Sequence, residues 1–156
     1  MVDILKKVQG YWSEEMITSQ TVVSKLDLLD FQKNNNVELL DDLKEYFLFL
    51  NGTNEKYDAN FYAFYDLKQF KNIPDFYKDI QGIPNYQLLN KTLENSFNYF
   101  VFADYHIDLF SYAIRLTENK IDNAVFVLCG EKYRQIAGSF SEFLELYLSN
   151  SEKLLI

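Results

Sequence analysis

Apolar residues recur at helical spacing near the start of the chain. From residue 19 to residue 34 the spacing predicts an amphipathic helix. The apolar side of this helix comprises Val22, Val23, Leu26 and Leu29. Three consecutive asparagines, residues 34–36, then interrupt the pattern and predict its end.

A second apolar stripe follows at i, i+4 and i+7 and predicts a second helix. The helix is predicted to begin at Asp41 or Asp42, because either side chain can cap free amide groups and complement the helix dipole. Gly52 is predicted to end it, since glycine adopts the left-handed conformation at little cost. The buried stripe comprises Leu43, Phe47 and Leu50.

Turn-forming residues fill positions 51–60, and the short aromatic run at 61–64 that follows is typical of a strand. Residues 71–98 contain two prolines and a glycine, Pro74, Pro84 and Gly82, which favour irregular connections with one short helix near residues 87–95. Four further runs alternate with turns and predict strands at residues 99–103, 109–116, 124–128 and 133–137. Short links between these strands favour an antiparallel meander.

A third amphipathic helix is predicted at the end of the chain. It opens with residues 139–142, Ser-Phe-Ser-Glu, which form a capping-box pattern. Its apolar stripe comprises Phe140, Phe143, Leu144, Tyr147 and Leu148. Helices, then strands, then a closing helix predict the α+β class, in a single domain spanning residues 1–156.

The charge and composition of the chain exclude some functions and favour others. The formal net charge of -8 opposes binding to nucleic acids and to anionic membrane surfaces, and it favours encounter with a basic partner. Cys129 is the one cysteine, which excludes an intramolecular disulfide, and its place after an apolar run indicates core packing. The first seven residues lack the apolar run of a signal peptide, so we expect a cytoplasmic protein.

One triplet could carry chemistry. Asp104, His106 and Asp108 alternate, so on a strand all three would project from one face and could hold a metal or a general base. The alternative interpretation, a polar turn or an exposed strand face, is preferred because no phosphate loop, dinucleotide fingerprint, nucleophile elbow or zinc motif supports catalysis. We therefore expect no enzymatic activity, no metal and no cofactor.

Aromatic residues cluster at 57–65, and tyrosine is common in protein interfaces. Strand alternation predicts that either Phe61, Ala63 and Tyr65, or Tyr62 and Phe64, are buried, but not both sets. Burial in a core is the favoured interpretation of the cluster, with an interface as the alternative. The residues predicted to bind a partner are Asp58, Tyr62, Asp66, Asp104, Tyr105, His106 and Asp108.

The order of five motifs resembles the SUKH superfamily, which includes fungal cell-wall synthesis regulators and many bacterial toxin-immunity proteins. The motifs are Leu39-Leu40, the helix to Asn51-Gly52, Phe61 to Phe64, Tyr112-Ala113-Ile114, and Ser139 to Leu144. The resemblance covers about residues 20–155. Leu40 departs from the pattern because the family usually has proline there.

The resemblance implies a non-enzymatic protein-binding domain. Its bacterial members mostly act as immunity proteins, so a cognate toxin domain, basic and nuclease-like, is the expected partner. A regulatory or scaffold interaction module is the alternative. A small metal-dependent hydrolase built on His106 is less favoured.

Overall fold

An antiparallel sheet divides the molecule into two unequal apolar layers. The computed structural model describes residues 1–18, 21–119 and 122–156. Within these ranges the helices are α1 Val2–Glu14, α2 Lys25–Asn35, α3 Asp41–Phe49, α4 Ile73–Tyr77, α5 Leu89–Thr92 and α6 Phe140–Leu148. The strands are β1 Tyr62–Phe64, β2 Lys71–Asn72, β3 Tyr99–Tyr105, β4 Phe110–Arg115, β5 Val125–Cys129 and β6 Lys132–Ala137. Short 3-10 turns span Tyr86–Leu88, Ser96–Asn98 and Glu152–Leu154.

The strand order is β1-β3-β4-β5-β6, and β2 also pairs with β3. All pairings are antiparallel, so the predicted meander and the α+β class are confirmed. Successive residues of β3 point to opposite faces of the sheet: Phe100 and Phe102 enter a first core under α1, α2, α3 and α6, whereas Tyr99 and Val101 enter a second core under α4 and α5. Among the described residues, none of the helices has the length and hydrophobicity of a membrane span.

Within the described residues, the first predicted helix begins at Lys25 and does not include residues 21–24, and its buried face differs from the prediction. Ser24 accepts a hydrogen bond from the Asp27 amide and Asp27 accepts one from the Ser24 amide, so this capping box begins α2 at Lys25. Leu28 is buried, while Val22, Leu26 and Leu29 are exposed to 95%, 65% and 59%. The predicted start, residues 19 and 20, lies outside the described residues.

Helix α3 begins at the predicted Asp41, but it ends at Phe49, and the first left-handed residue after it is Asn51 with φ 51° rather than the predicted Gly52. Asp41 and Asp42 occupy the first turn of α3, and Leu43, Phe47 and Leu50 are buried. Gly52 has φ +85°, and a Cβ there would lie 2.8 Å from the Asp66 backbone nitrogen. Only glycine therefore fits this close approach of two backbone segments.

Helix α6 begins as predicted, but its capping box is half formed. The Ser139 hydroxyl accepts from the Glu142 amide at 3.1 Å, whereas the Glu142 carboxylate accepts from the Gly138 amide at 2.7 Å rather than from Ser139. The Asp42 carboxylate accepts from the amide and hydroxyl of Ser141, each at 3.0 Å, and so joins α3 to α6.

Three further features can be compared with the sequence prediction. Helix α1, strand β2 and helix α4 had no predicted counterpart, and the helix predicted near residues 87–95 is one 3-10 turn followed by the short α5. Tyr62 and Phe64, one of the two predicted sets, are buried, whereas of the other set only Ala63 is buried and Phe61 is exposed. Cys129 is only partly buried, at the end of β5.

Candidate protein-binding surface

The turn that joins β3 to β4 has an unusual backbone. His106, Ile107 and Asp108 have φ values of 52°, 57° and 60°, so three consecutive residues other than glycine are left-handed. Each such residue costs about 1–2 kcal/mol, and a β-branched isoleucine is especially disfavoured there. Conformations of this kind persist only where surrounding contacts enforce them, and they cluster at functional sites.

The preferred interpretation of the polar triplet as a turn is confirmed, and the alternative in which all three side chains project from one strand face is wrong. Strand β3 ends at Tyr105, so Asp104 lies on the strand while His106 and Asp108 lie in the turn. The three side chains therefore do not share one strand face. Among the described residues, no group of three or more His, Cys, Asp and Glu side chains is arranged to hold a metal ion.

Three hydrogen bonds hold the turn from beneath. The His106 amide donates to the Phe61 carbonyl at 2.8 Å, which joins the turn to the residue before β1. The Asp108 amide donates to the Asp104 carboxylate at 3.2 Å. The Tyr86 hydroxyl donates to the Asp108 carbonyl at 2.8 Å. These three hydrogen bonds hold the backbone of the turn in its left-handed conformation.

Asp104 lies at the centre of the hydrogen-bond network beneath the turn. It is 2% exposed, and its carboxylate accepts from the hydroxyls of Tyr57 at 2.7 Å and Tyr65 at 2.9 Å. Burial raises the pKa of Asp104, and burial together with the nearby Asp104 charge raises the pKa of Asp108. The described part of the chain offers no salt bridge to either carboxylate. Tyrosine hydroxyls, rather than cations, therefore hold the Asp104 carboxylate.

Other polar atoms lie beside Asp104 in a layer between the sheet and α4. Ser111 pairs with Asp104 in the β3–β4 register, and Tyr77 stacks on Tyr86 with ring centroids 4.5 Å apart. The Ser111 hydroxyl, the Tyr77 hydroxyl and one Asp108 carboxylate oxygen are buried without a hydrogen-bond partner among the described residues. Asp104 therefore lies in a buried polar layer at this end of the sheet.

The outside of the turn is apolar. Ile107 is 78% exposed and Phe61 is 52% exposed, and the His106 ring meets the Phe61 ring edge-on at 5.1 Å. Tyr57 and Leu109 are exposed to about two-fifths beside them. We call this cluster the turn surface; it comprises Tyr57, Phe61, His106, Ile107 and Leu109. Adjoining exposed apolar side chains of this size are typical of protein-binding sites.

The seven residues predicted to bind a partner occupy different depths. His106 is exposed, and Tyr105 and Asp108 are partly buried at the turn. Asp104 lies beneath them, as described above. Asp66 is partly buried beyond the opposite end of β1, where its carboxylate accepts from the Gln69 amide at 2.9 Å.

Asp58 and Tyr62 are buried, at 4% and 2% exposure. The Asp58 carboxylate accepts from the Tyr147 hydroxyl and, at 2.9 Å, from the Tyr62 amide, and burial raises its pKa. These side chains fix the chain before β1 and present no surface to a partner. The structure therefore brings Asp104, Tyr105, His106 and Asp108 of the predicted set together at the turn.

Sequence reasoning missed Ile107, Leu109 and Tyr86, which shape the turn surface and its support. No glycine or asparagine marks the left-handed positions, so the turn geometry has no local signal. The one available signal was a pair of large apolar residues, Ile107 and Leu109, interleaved with charged residues between two strands.

Comparison with protein-family models identifies the fold family. Residues 23–146 match the SMI1 / KNR4 family (SUKH-1), and this segment includes the whole turn surface. No curated protein matches the chain. The family match is compatible with a non-enzymatic protein-binding role. Because the matched segment is most of the chain, the protein belongs to the SMI1 / KNR4 family (SUKH-1), a family of protein-interaction domains.

Proposed function

We propose that the protein is an immunity protein that binds a bacterial toxin domain through the turn surface and neutralises it. The observation that carries this proposal is the exposed apolar turn held by a buried Asp104–tyrosine network. A surface that is rigid before binding loses little conformational freedom on association, so more of the contact energy appears as affinity. Immunity by blockade needs this kind of tight binding.

Electrostatics indicate the chemistry of the partner. The net charge of -8 attracts a basic protein and speeds its encounter with this chain. Asp108 adds a partly exposed acidic group beside Ile107. A basic, nuclease-like toxin domain that acts in the cytoplasm fits these features.

Co-expression tests the immunity function directly. The chain is produced with the C-terminal domain encoded by its upstream neighbouring gene, in a host that this domain alone kills. Growth rescue together with a one-to-one complex is the expected result. A neighbour without toxicity, or toxicity without rescue, would overturn the immunity role and favour a regulatory or scaffold module instead.

Stoichiometry tests the proposed absence of catalysis. A protein that acts by binding neutralises an equal amount of toxin and no more. Titration of a fixed amount of toxin should therefore reach full protection at a ratio of about one, and His106→Ala should not change this ratio. Complete protection at a small fraction of one equivalent, lost in His106→Ala, would indicate an enzyme.

A charge placed on the turn tests the surface itself. Ile107→Glu should lower affinity for the toxin at least tenfold, because central apolar contacts in interfaces are commonly worth about 2 kcal/mol or more. Ile83→Glu is the matched control, since Ile83 is fully exposed and lies outside the turn surface. Equal affinities of the two variants would contradict the turn surface as the contact, whatever the result of co-expression.

A further inference from the structure

A groove lies between α1 and α3, on helices outside the turn surface. It has a volume of about 250 Å³ and is lined by Val2, Leu5, Glu45, Leu48 and Phe49. Leu5 is buried and belongs to the first core, so it closes the bottom of the groove. The space is large enough for one aliphatic side chain.

Large apolar side chains border this groove without being covered. Val2 is 54% exposed, Phe49 is 44% exposed and Leu48 is 39% exposed. Single exposed apolar residues are ordinary on protein surfaces, but several around one concave site indicate a contact area.

Glu45 is the charged residue in the lining. One of its carboxylate oxygens is buried and has no hydrogen-bond partner among the described residues. Lys44, its neighbour on α3, reaches Asp41 at 3.8 Å. A buried carboxylate oxygen without a donor is costly, so a ligand that supplies a cationic donor gains a strong, charge-assisted hydrogen bond.

We infer that this groove binds a segment of a partner protein that presents an aliphatic side chain next to an arginine or lysine. The aliphatic side chain would contact Leu5, Leu48 and Phe49, and the cation would pair with Glu45. A second copy of this chain is a poor occupant, because a two-fold contact centred on the groove would bring the two Glu45 carboxylates close together.

The groove is separate from the turn surface. Glu15, just after α1, accepts a hydrogen bond from the Ala59 amide near β1, whereas Val2 lies at the opposite end of the helix. At about 1.5 Å per residue, the helix separates the two ends by roughly 20 Å. The inference therefore goes beyond the proposed toxin contact, and failure of either one leaves the other standing.

Nuclear magnetic resonance of the isotope-labelled full chain tests the groove with defined probes. The first probe is an acetylated and amidated tetrapeptide, Ala-Leu-Arg-Ala, and the comparison probes replace its arginine by glutamate or its leucine by alanine. Backbone amides of Leu5, Glu45, Leu48 and Phe49 should shift with the first peptide. Each comparison peptide should bind more weakly, the glutamate peptide by about tenfold.

Variants then test the pairing. Glu45→Gln should bring the arginine and glutamate peptides to similar affinity, while Glu145→Gln, an exposed change on α6, should keep the tenfold preference. Unchanged melting temperatures would confirm that both variants fold. The inference is overturned by absence of shifts at the groove, by equal binding of both peptides to the unaltered chain, or by groove shifts that depend on protein concentration alone, which indicate self-association.

Discussion

The two faces of the sheet are both aromatic, yet they are built differently. The face under α1, α3 and α6 is packed with rings, and Phe102 meets Phe143 edge-on at 4.9 Å. The face under α4 and α5 becomes polar toward the β3–β4 turn, where Asp104 and Ser111 replace apolar residues. The first face therefore stabilises the fold by close packing of aromatic rings, whereas the polar end of the second face positions the turn.

Removing a ring from the first face should have the largest effect on stability. Phe143→Ala should lower the free energy of unfolding by about 3–5 kcal/mol, because it leaves a cavity among several aromatic rings. Urea denaturation monitored by circular dichroism measures this change. Phe97→Ala is the matched control, since Phe97 is 58% exposed. Equal losses in the two variants would contradict the assignment of stability to the first face.

Removing the central carboxylate of the second face should cost less. Asp104→Ala leaves the hydroxyls of Tyr57 and Tyr65 without their acceptor, and should lower the free energy of unfolding by about 1–3 kcal/mol. The turn should also loosen, so hydrogen exchange at the Asp108 amide should become faster. Asp79→Ala, at an exposed position, is the control. Unchanged exchange at Asp108 would show that Asp104 does not hold the turn.

The pH dependence of stability provides a second comparison of the two faces. Burial raises the pKa of Asp58, Asp104 and Asp108, so the folded chain binds protons at a higher pH than the unfolded chain. Stability should therefore rise as pH falls from neutral through the raised pKa values, toward the ordinary aspartate value of about 3.9. Hydrogen bonds from Ser24 lower the pKa of Asp27, which acts in the opposite direction only below that value.

Denaturation at pH 7.5 and at pH 5 measures this dependence. A higher free energy of unfolding at pH 5 is expected, and an equal or lower one would contradict the prediction. Single substitutions to asparagine separate the contributions to this pH dependence. Asp58→Asn reports on the first face, and Asp104→Asn reports on the second. The variant with the flatter pH dependence identifies the face that contributes more.

The sequence predicted the elements whose local pattern is clear. Strands β3 and β5 are short, nearly continuous apolar runs because both faces of the sheet are covered, and helix α6 has a clear helical stripe that faces the first core. Helix α2 shows where the period misleads. Val22, Leu26 and Leu29 are correctly spaced for a helix, but the capping box at Ser24 and the burial of Leu28 turn that stripe toward solvent.

The candidate site was predicted only in part, because its geometry depends on contacts distant in sequence. Asp104 and His106 were identified from their polarity, and the turn predicted between the strands at residues 99–103 and 109–116 is confirmed. The left-handed backbone of this turn depends on Tyr86 and Phe61, which lie far from it in the chain. A local sequence pattern does not predict a backbone conformation that is held by tertiary hydrogen bonds.

The smallest change in stability is expected at Ile107, and this change tests whether Ile107 serves partner contact rather than folding. Ile107→Asn should raise the free energy of unfolding by up to about 1 kcal/mol, because asparagine tolerates the left-handed backbone better than isoleucine, and Ile107 buries little surface. Ile83→Asn, without positive φ, should stay within about 0.5 kcal/mol of the unaltered chain. Affinity for the proposed toxin partner should fall in Ile107→Asn despite the gain in stability. A variant that is both more stable and equally tight in binding would show that the strained isoleucine is not retained for contact.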